Sequence, residues 1–95
     1  MYNRNVLKKN IQKLQISSLK SKNRPQFEFV QYILAQIKNA EIDKLGELTD
    51  DEVKGVLEKV KKQIDEAIEA AKKGERKDLI IKYEEQKKVL LSITE

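Results

Sequence analysis

The clearest fold signal in the chain is the stretch LTDDEVKGVLEKVKKQIDEAIEAAKK, residues 48–73. It opens with a capping box, in which the Thr49 hydroxyl accepts the N–H of Glu52 and the Glu52 carboxylate accepts the N–H of Thr49. Leu48 and Val53 are placed as the hydrophobic staple around that cap. After the cap, apolar residues recur every three or four positions, which is the period of one buried helix face. They are Val53, Val56, Leu57, Val60, Ile64, Ala67, Ile68 and Ala71.

The same stretch also carries the signal for its own end. Lys72 and Lys73 place cations in the last turn, where they oppose the negative end of the helix dipole. Gly74 follows, and glycine is the usual residue for the left-handed conformation after a helix. The pattern therefore predicts a helix over residues 50–73 with Gly74 as its left-handed stop.

Three further amphipathic patterns predict helices over residues 4–20, 25–42 and 76–91. Pro25 suits the first turn of the second helix, where its missing N–H has no intrahelical partner. The connections are short, and short connections favour antiparallel neighbours. The expected fold is all-α, an antiparallel bundle of about four helices forming a single domain over residues 1–95.

The composition makes most enzyme mechanisms hard to build, because the 95 residues include no cysteine and no histidine. The commonest general base, the thiolate nucleophile and the usual zinc ligands are therefore missing.

Residues 41–52 have the layout of a calcium loop, but the Leu45 side chain offers no ligand oxygen and Lys44 adds a positive charge. Helix capping explains the acids at 50–52. We expect no catalytic residue, no metal site, no cofactor and no small-molecule substrate.

The positive charge is concentrated at the N-terminus, because residues 1–24 contain seven bases and all 16 acids of the chain follow them. At 100° per residue, Lys9, Lys13 and Lys20 fall within a wedge of about 40° opposite the apolar stripe of the first helix. Lys22 and Arg24 continue the run. These bases are candidates to neutralise RNA phosphates. The alternatives are a solvated helix face, and a membrane or organellar targeting segment.

Membrane crossing is not expected, because the chain has no run of about 18 apolar residues. The lack of cysteine and of a secretory signal favours a reducing, cytoplasmic compartment.

Three blocks of sequence carry a resemblance to a known family. They are Ile37-Lys38-Asn39-Ala40-Glu41-Ile42-Asp43, then Glu47-Leu48-Thr49-Asp50-Asp51-Glu52-Val53, then Gly74 with Arg76-Lys77-Asp78-Leu79. In order and spacing they resemble the YqeY family, over about residues 5–91. That family shares its fold with the C-terminal tail of the B subunit of glutamine-dependent amidotransferases acting on mischarged tRNA.

The chain also departs from the family pattern at several positions. Gln31 stands where the family tends to place Arg, and Tyr83 and Gln86 stand where Glu is usual. The family pattern has an N-terminal helical domain followed by a smaller helical domain, whereas this chain stops at Glu95. The resemblance therefore covers the N-terminal domain, and the family's C-terminal domain is absent from this sequence.

The resemblance implies a tRNA- or RNA-binding accessory role, because in the amidotransferase the related tail holds the tRNA body while chemistry occurs elsewhere. The chain would then be no enzyme itself, and at most an accessory to such an amidotransferase. The residues that match the family pattern, and to which a binding role transfers, are Lys38, Asn39, Glu41 and Arg76.

A second interpretation is a protein–protein module without nucleic-acid binding, whose partner is another protein or a second copy. It is motivated by apolar residues that exceed what one bundle face needs. They are Phe29, Tyr32, Ile33, Ile80, Ile81, Leu91 and Ile93.

Overall fold

The computed structural model describes residues 6–94, and within this range the chain forms four α-helices and no strand. They are α1 (Val6–Lys20), α2 (Arg24–Lys44), α3 (Asp50–Lys73) and α4 (Lys77–Thr94). The all-α, four-helix prediction is confirmed. The bounds of α3 match the predicted ones, whereas α2 and α4 continue two and three residues beyond theirs. Residues 4 and 5 of the first predicted helix lie outside the described range.

The chain divides between Val56 and Leu57, inside α3, into two compact units that are described separately. In the first unit α1 and α2 run antiparallel, because Lys8 near the start of α1 pairs with Glu41 near the end of α2. In the second unit the remainder of α3 and α4 are joined by an ion pair between Asp65 and Lys87, at 2.7 Å.

The buried side chains follow the apolar periodicities of the sequence. In the first unit they include Ile11, Val30, Ile37, Leu48 and Val53, and in the second Leu57, Val60, Ile64, Ile68, Ala71 and Leu90. Each large aliphatic group removed from water stabilises the fold by roughly 1.5–3 kcal/mol.

Two of the apolar residues expected to be surplus to the fold are part of this core. Phe29 is 6% exposed and Ile33 is fully buried, so neither belongs to a free docking strip. The reason is that the buried face of α2 is wider than a single stripe. Tyr32 and Ile81 do remain exposed, at 42% and 59%.

The capping box predicted at the start of α3 is confirmed. Thr49 N–H donates to Glu52 Oε1 at 2.9 Å and Glu52 N–H donates to Thr49 Oγ1 at 3.3 Å, which is the reciprocal pattern of a capping box. At α2 the Asn23 side chain accepts the N–H of Gln26, and Pro25 occupies the first turn.

The first three helices are each followed by a left-handed residue that is not a glycine. Lys22, Leu45 and Glu75 have φ of 59°, 62° and 54°, and no glycine among the described residues has positive φ. Each follows a helix and is flanked by the two hydrogen bonds of a Schellman motif. After α3 these bonds are Arg76 N–H to Ala71 O at 2.9 Å and Glu75 N–H to Lys72 O at 3.1 Å.

The prediction that Gly74 is the left-handed stop of α3 is therefore wrong. The last turn extends one residue further, so that Gly74 keeps a negative φ and Glu75 takes the strained conformation. A non-glycine residue in this region carries roughly 1–2 kcal/mol of strain.

This assignment predicts that neither of two neighbouring substitutions destabilises the fold, and that one of them stabilises it. Glu75→Gly should raise the free energy of unfolding by about 0.5–1 kcal/mol, because glycine adopts positive φ without strain. Gly74→Ala should leave it unchanged or slightly higher, because the added Cβ meets its nearest atoms at 3.6 Å, an ordinary contact. Urea denaturation of the two variants checks this. If Gly74→Ala lost stability and Glu75→Gly gained none, the left-handed residue would be Gly74 rather than Glu75.

Candidate nucleic-acid interface

The orientation of α1 is set by its buried stripe. Ile11 and Ser18 are 0% and 1% exposed, and Leu7 and Leu14 are half-buried. The buried Ser18 hydroxyl donates to Leu14 O at 2.7 Å and accepts from Gln26 Nε2 at 2.7 Å, so its burial leaves no unmet hydrogen bond. The opposite side of the helix must therefore face solvent.

That solvent side carries the predicted wedge of lysines. Lys9, Lys13 and Lys20 are exposed, and none of them makes an ion pair within residues 6–94. Lys22 is exposed in the left-handed position just after α1, and Arg24 is exposed at the start of α2. We call these five residues the basic face.

Arg24 is the one member of the basic face with an acidic neighbour. Its Nε lies 3.8 Å from Glu28 Oε2, and both side chains are largely in solvent. An exposed pair at this distance contributes little and leaves the guanidinium available.

Lys8 behaves differently from its neighbour Lys9. Its ammonium donates to both carboxylate oxygens of Glu41, at 2.9 and 3.0 Å, and this pair is largely shielded from solvent. The Glu41 carboxylate also accepts the N–H of Leu48 at 3.3 Å. The hydrogen bonds from Lys8 lower the pKa of Glu41 below its ordinary value of 4.5. Glu41, a candidate binding residue, is thus occupied in joining α1, α2 and the loop before α3.

The start of α1 receives its negative partner from another helix. The first turn of α1 contains no acid, and Asp50 Oδ1 accepts the N–H of Leu7 at 3.1 Å. A carboxylate at this end stabilises the positive end of the helix dipole. Sequence reasoning missed these roles of Lys8, Glu41 and Asp50, because residues 33 to 43 apart in the chain give no local signal of contact.

The candidates taken from the family pattern are spread over both units. Lys38 and Asn39 are exposed on α2, and Lys38 makes no ion pair with any described residue. Arg76 lies in the second unit and donates two hydrogen bonds to the Asp78 carboxylate, each 3.3 Å. These bonds hold the pKa of Asp78 below its ordinary value. The basic face contains five of the nine candidate residues.

A comparison with known protein families matches the part of the chain that contains the three blocks at residues 37–43, 47–53 and 74–79. The model of the Yqey-like protein family matches residues 8–93, which is nearly the whole chain and includes all three blocks. The chain belongs to the Yqey-like protein family. No curated protein matches it at a significant level.

In this Yqey-like chain, residues 41–52 have the spacing of a calcium loop, but the Lys44 ammonium group binds two of their oxygen atoms. Lys44 Nζ donates to Glu52 Oε1 at 2.5 Å and to Glu47 O at 2.9 Å, and the first of these bonds lowers the pKa of Glu52. Within residues 6–94, no group of three or more acids converges on a possible metal position. No helix in the same range is long and apolar enough to cross a membrane.

The shielded ion pair between Lys8 and Glu41 predicts how the free energy of unfolding changes with pH. Glu41→Gln should lower the free energy of unfolding at pH 7 by about 1–2 kcal/mol, since it loses charge-assisted hydrogen bonds. The pKa of Glu41 is depressed in the folded state, so its contribution is present above pH 4.5 and is lost as the pH falls through the folded value. The deficit of the variant should therefore shrink in strong acid.

Urea denaturation at pH 7 and in strong acid measures both effects. Asp43→Asn is the matched control, because Asp43 is exposed and makes no ion pair among the described residues. A Glu41→Gln deficit equal to that of the control, or one that persists at low pH, would show that the pair does not hold the helices together.

Proposed function

We propose that this chain is a cytoplasmic, non-catalytic accessory domain that binds tRNA or another structured RNA through the basic face. The observation that carries the proposal is the state of Lys9, Lys13 and Lys20, which share one exposed side of α1 without acidic partners among the described residues. Three unpaired ammonium groups on one rigid helix suit a ligand with regularly spaced negative charges.

The dimensions of the basic face fit contact with a nucleic-acid backbone. Lys9 and Lys20 are eleven residues apart on one helix, which corresponds to roughly 16 Å along its axis. Lys22 and Arg24 extend the positive charge past the end of the helix. Helix α1 carries no aromatic side chain on which a base would stack. The contacts proposed are therefore to phosphates, and recognition is by shape rather than by base identity.

Family membership is the second support. The YqeY fold is similar to the amidotransferase tail that holds the tRNA body while the chemistry takes place elsewhere, and this division of labour matches a domain without histidine or cysteine. On this basis the chain corresponds to the N-terminal domain of the family. Exposed Lys38 and Asn39 are proposed as additional contacts, as is Arg76 once released from Asp78.

The test is binding of labelled tRNA, measured by fluorescence anisotropy over a series of salt concentrations. The wild-type protein should bind at low salt and weaken steeply as salt rises, because binding releases counterions. Lys9→Glu combined with Lys13→Glu should abolish binding at moderate salt. Lys9→Arg combined with Lys13→Arg should retain it, because phosphate contact requires the charge rather than the lysine itself.

The matched control is Lys59→Glu combined with Lys62→Glu, which changes the net charge equally on exposed positions of α3. This control should weaken binding only slightly. If the control loses affinity as much as the α1 variant does, net charge rather than the basic face is responsible. If the α1 variant binds as well as wild type, the proposal is wrong.

A further inference from the structure

The end of α2 and the residue that follows it present two apolar side chains to solvent. Ile42 is 60% exposed and Leu45 is 92% exposed, the highest value among the large apolar residues of the described chain. Leu45 also occupies the left-handed conformation, with φ of 62°, although Gly46 is the next residue. A leucine here carries both backbone strain and exposed apolar area, and neither stabilises the monomer. We call Ile42 and Leu45 the apolar knob.

The backbone that carries the knob is held on both sides. Lys44 Nζ binds Glu47 O and the Glu52 carboxylate, while Gly46 N–H donates to Glu41 O at 3.1 Å. The Leu48 N–H is held by the Glu41 carboxylate. A side chain on so constrained a loop loses little further entropy when a partner covers it.

The surroundings of the knob are strongly acidic. Residues 41–52 contain six acids and a single base. Lys44 is internally paired, whereas Asp43 and Asp51 are exposed and make no ion pair within the described range. The knob is therefore an apolar projection with an acidic rim, and it fits a surface that is apolar in the middle and basic around it.

The outer side of α1 has that complementary character. Ile16 is 53% exposed, one turn after Lys13 and one turn before Lys20. Leu19 lies beside it with 61% exposed. An aliphatic side chain contributes nothing to phosphate binding, so RNA contact accounts for the lysines of this face but not for exposed Ile16 and Leu19.

We propose that the apolar knob of one molecule docks against Ile16 and Leu19 of a second copy, with Asp43 and Asp51 facing the lysines of the basic face. The contact joins two different surfaces, so it is head-to-tail and leaves a free knob and a free α1 face at the two ends of a dimer. It is small and rimmed by opposite charges, so the association is weak and decreases with salt. This proposal stands independently of RNA binding.

Sedimentation velocity of the RNA-free protein at low salt, over concentrations up to ~1 mM, measures the association. The average mass of wild type should rise with concentration, and added salt should reverse the rise. Leu45→Gly and Ile16→Gln should each weaken association at least tenfold. Leu45→Gly removes the more exposed side chain of the apolar knob and also relieves the left-handed strain, so its loss of association cannot come from unfolding. A wild-type protein that stays monomeric throughout overturns the proposal.

Mixing two defective variants tests the head-to-tail geometry. One carries Ile16→Gln with Lys13→Gln and keeps its knob, and the other carries Leu45→Gly with Asp43→Asn and keeps its α1 face. Each alone should be monomeric, and an equimolar mixture should form a dimer that grows no further, since its free ends are both defective. Monomers in the mixture, or dimers of either variant alone, would contradict the docking.

Leu45→Gly should bind tRNA as the wild-type protein does, because it leaves the basic face unchanged. A failure of the contact between copies is therefore distinguishable from a failure of RNA binding.

Discussion

The Glu41 carboxylate is the point on which the organisation of the first unit depends. It receives the Lys8 ammonium on both oxygens and the Leu48 N–H, and so joins α1, the end of α2 and the loop that leads into α3. Asp50 reinforces the same corner by accepting the Leu7 N–H at the positive end of α1. With this end fixed and Ile11 buried, the rotation of α1 about its axis is determined. The exposure of the wedge lysines is a consequence of that rotation.

The parts of the fold that sequence predicts well are those encoded locally. The capping box at Thr49 and Glu52 needs only four consecutive residues, and the start of α3 follows from it. Helical period alone placed Lys9, Lys13 and Lys20 on the side opposite Ile11, because a straight helix preserves that angle. The left-handed residue after α3 was predicted one position too early, since glycine preference favoured Gly74 while the hydrogen-bonding pattern made Glu75 the left-handed residue.

The parts that sequence could not predict depend on residues distant in the chain. Lys8 and Lys9 are adjacent and chemically identical, yet among the described residues only Lys8 pairs with a carboxylate, and its contact with Glu41 arises from the packing of α1 on α2. Arg76 differs from Lys8 in that its acidic partner, Asp78, is only two residues away in the chain. Composition reports how many cations a segment holds. Only the packing shows which of them are still available to a ligand.

Charge separation within the first unit connects its stability to its proposed partners. Glu41, Asp50 and Glu52, which cap helices or join separate elements of this unit, lie at the end where α1 begins, whereas Lys20, Lys22 and Arg24 lie at the opposite end of α1. Under the two proposals, the lysines of the basic face would contact RNA phosphates in one state and the acidic rim of a second copy in the other. Because RNA and a second molecule would cover overlapping surface, the two states would exclude each other. The balance between them would then be set by salt, protein concentration and RNA concentration, without any conformational change in the domain.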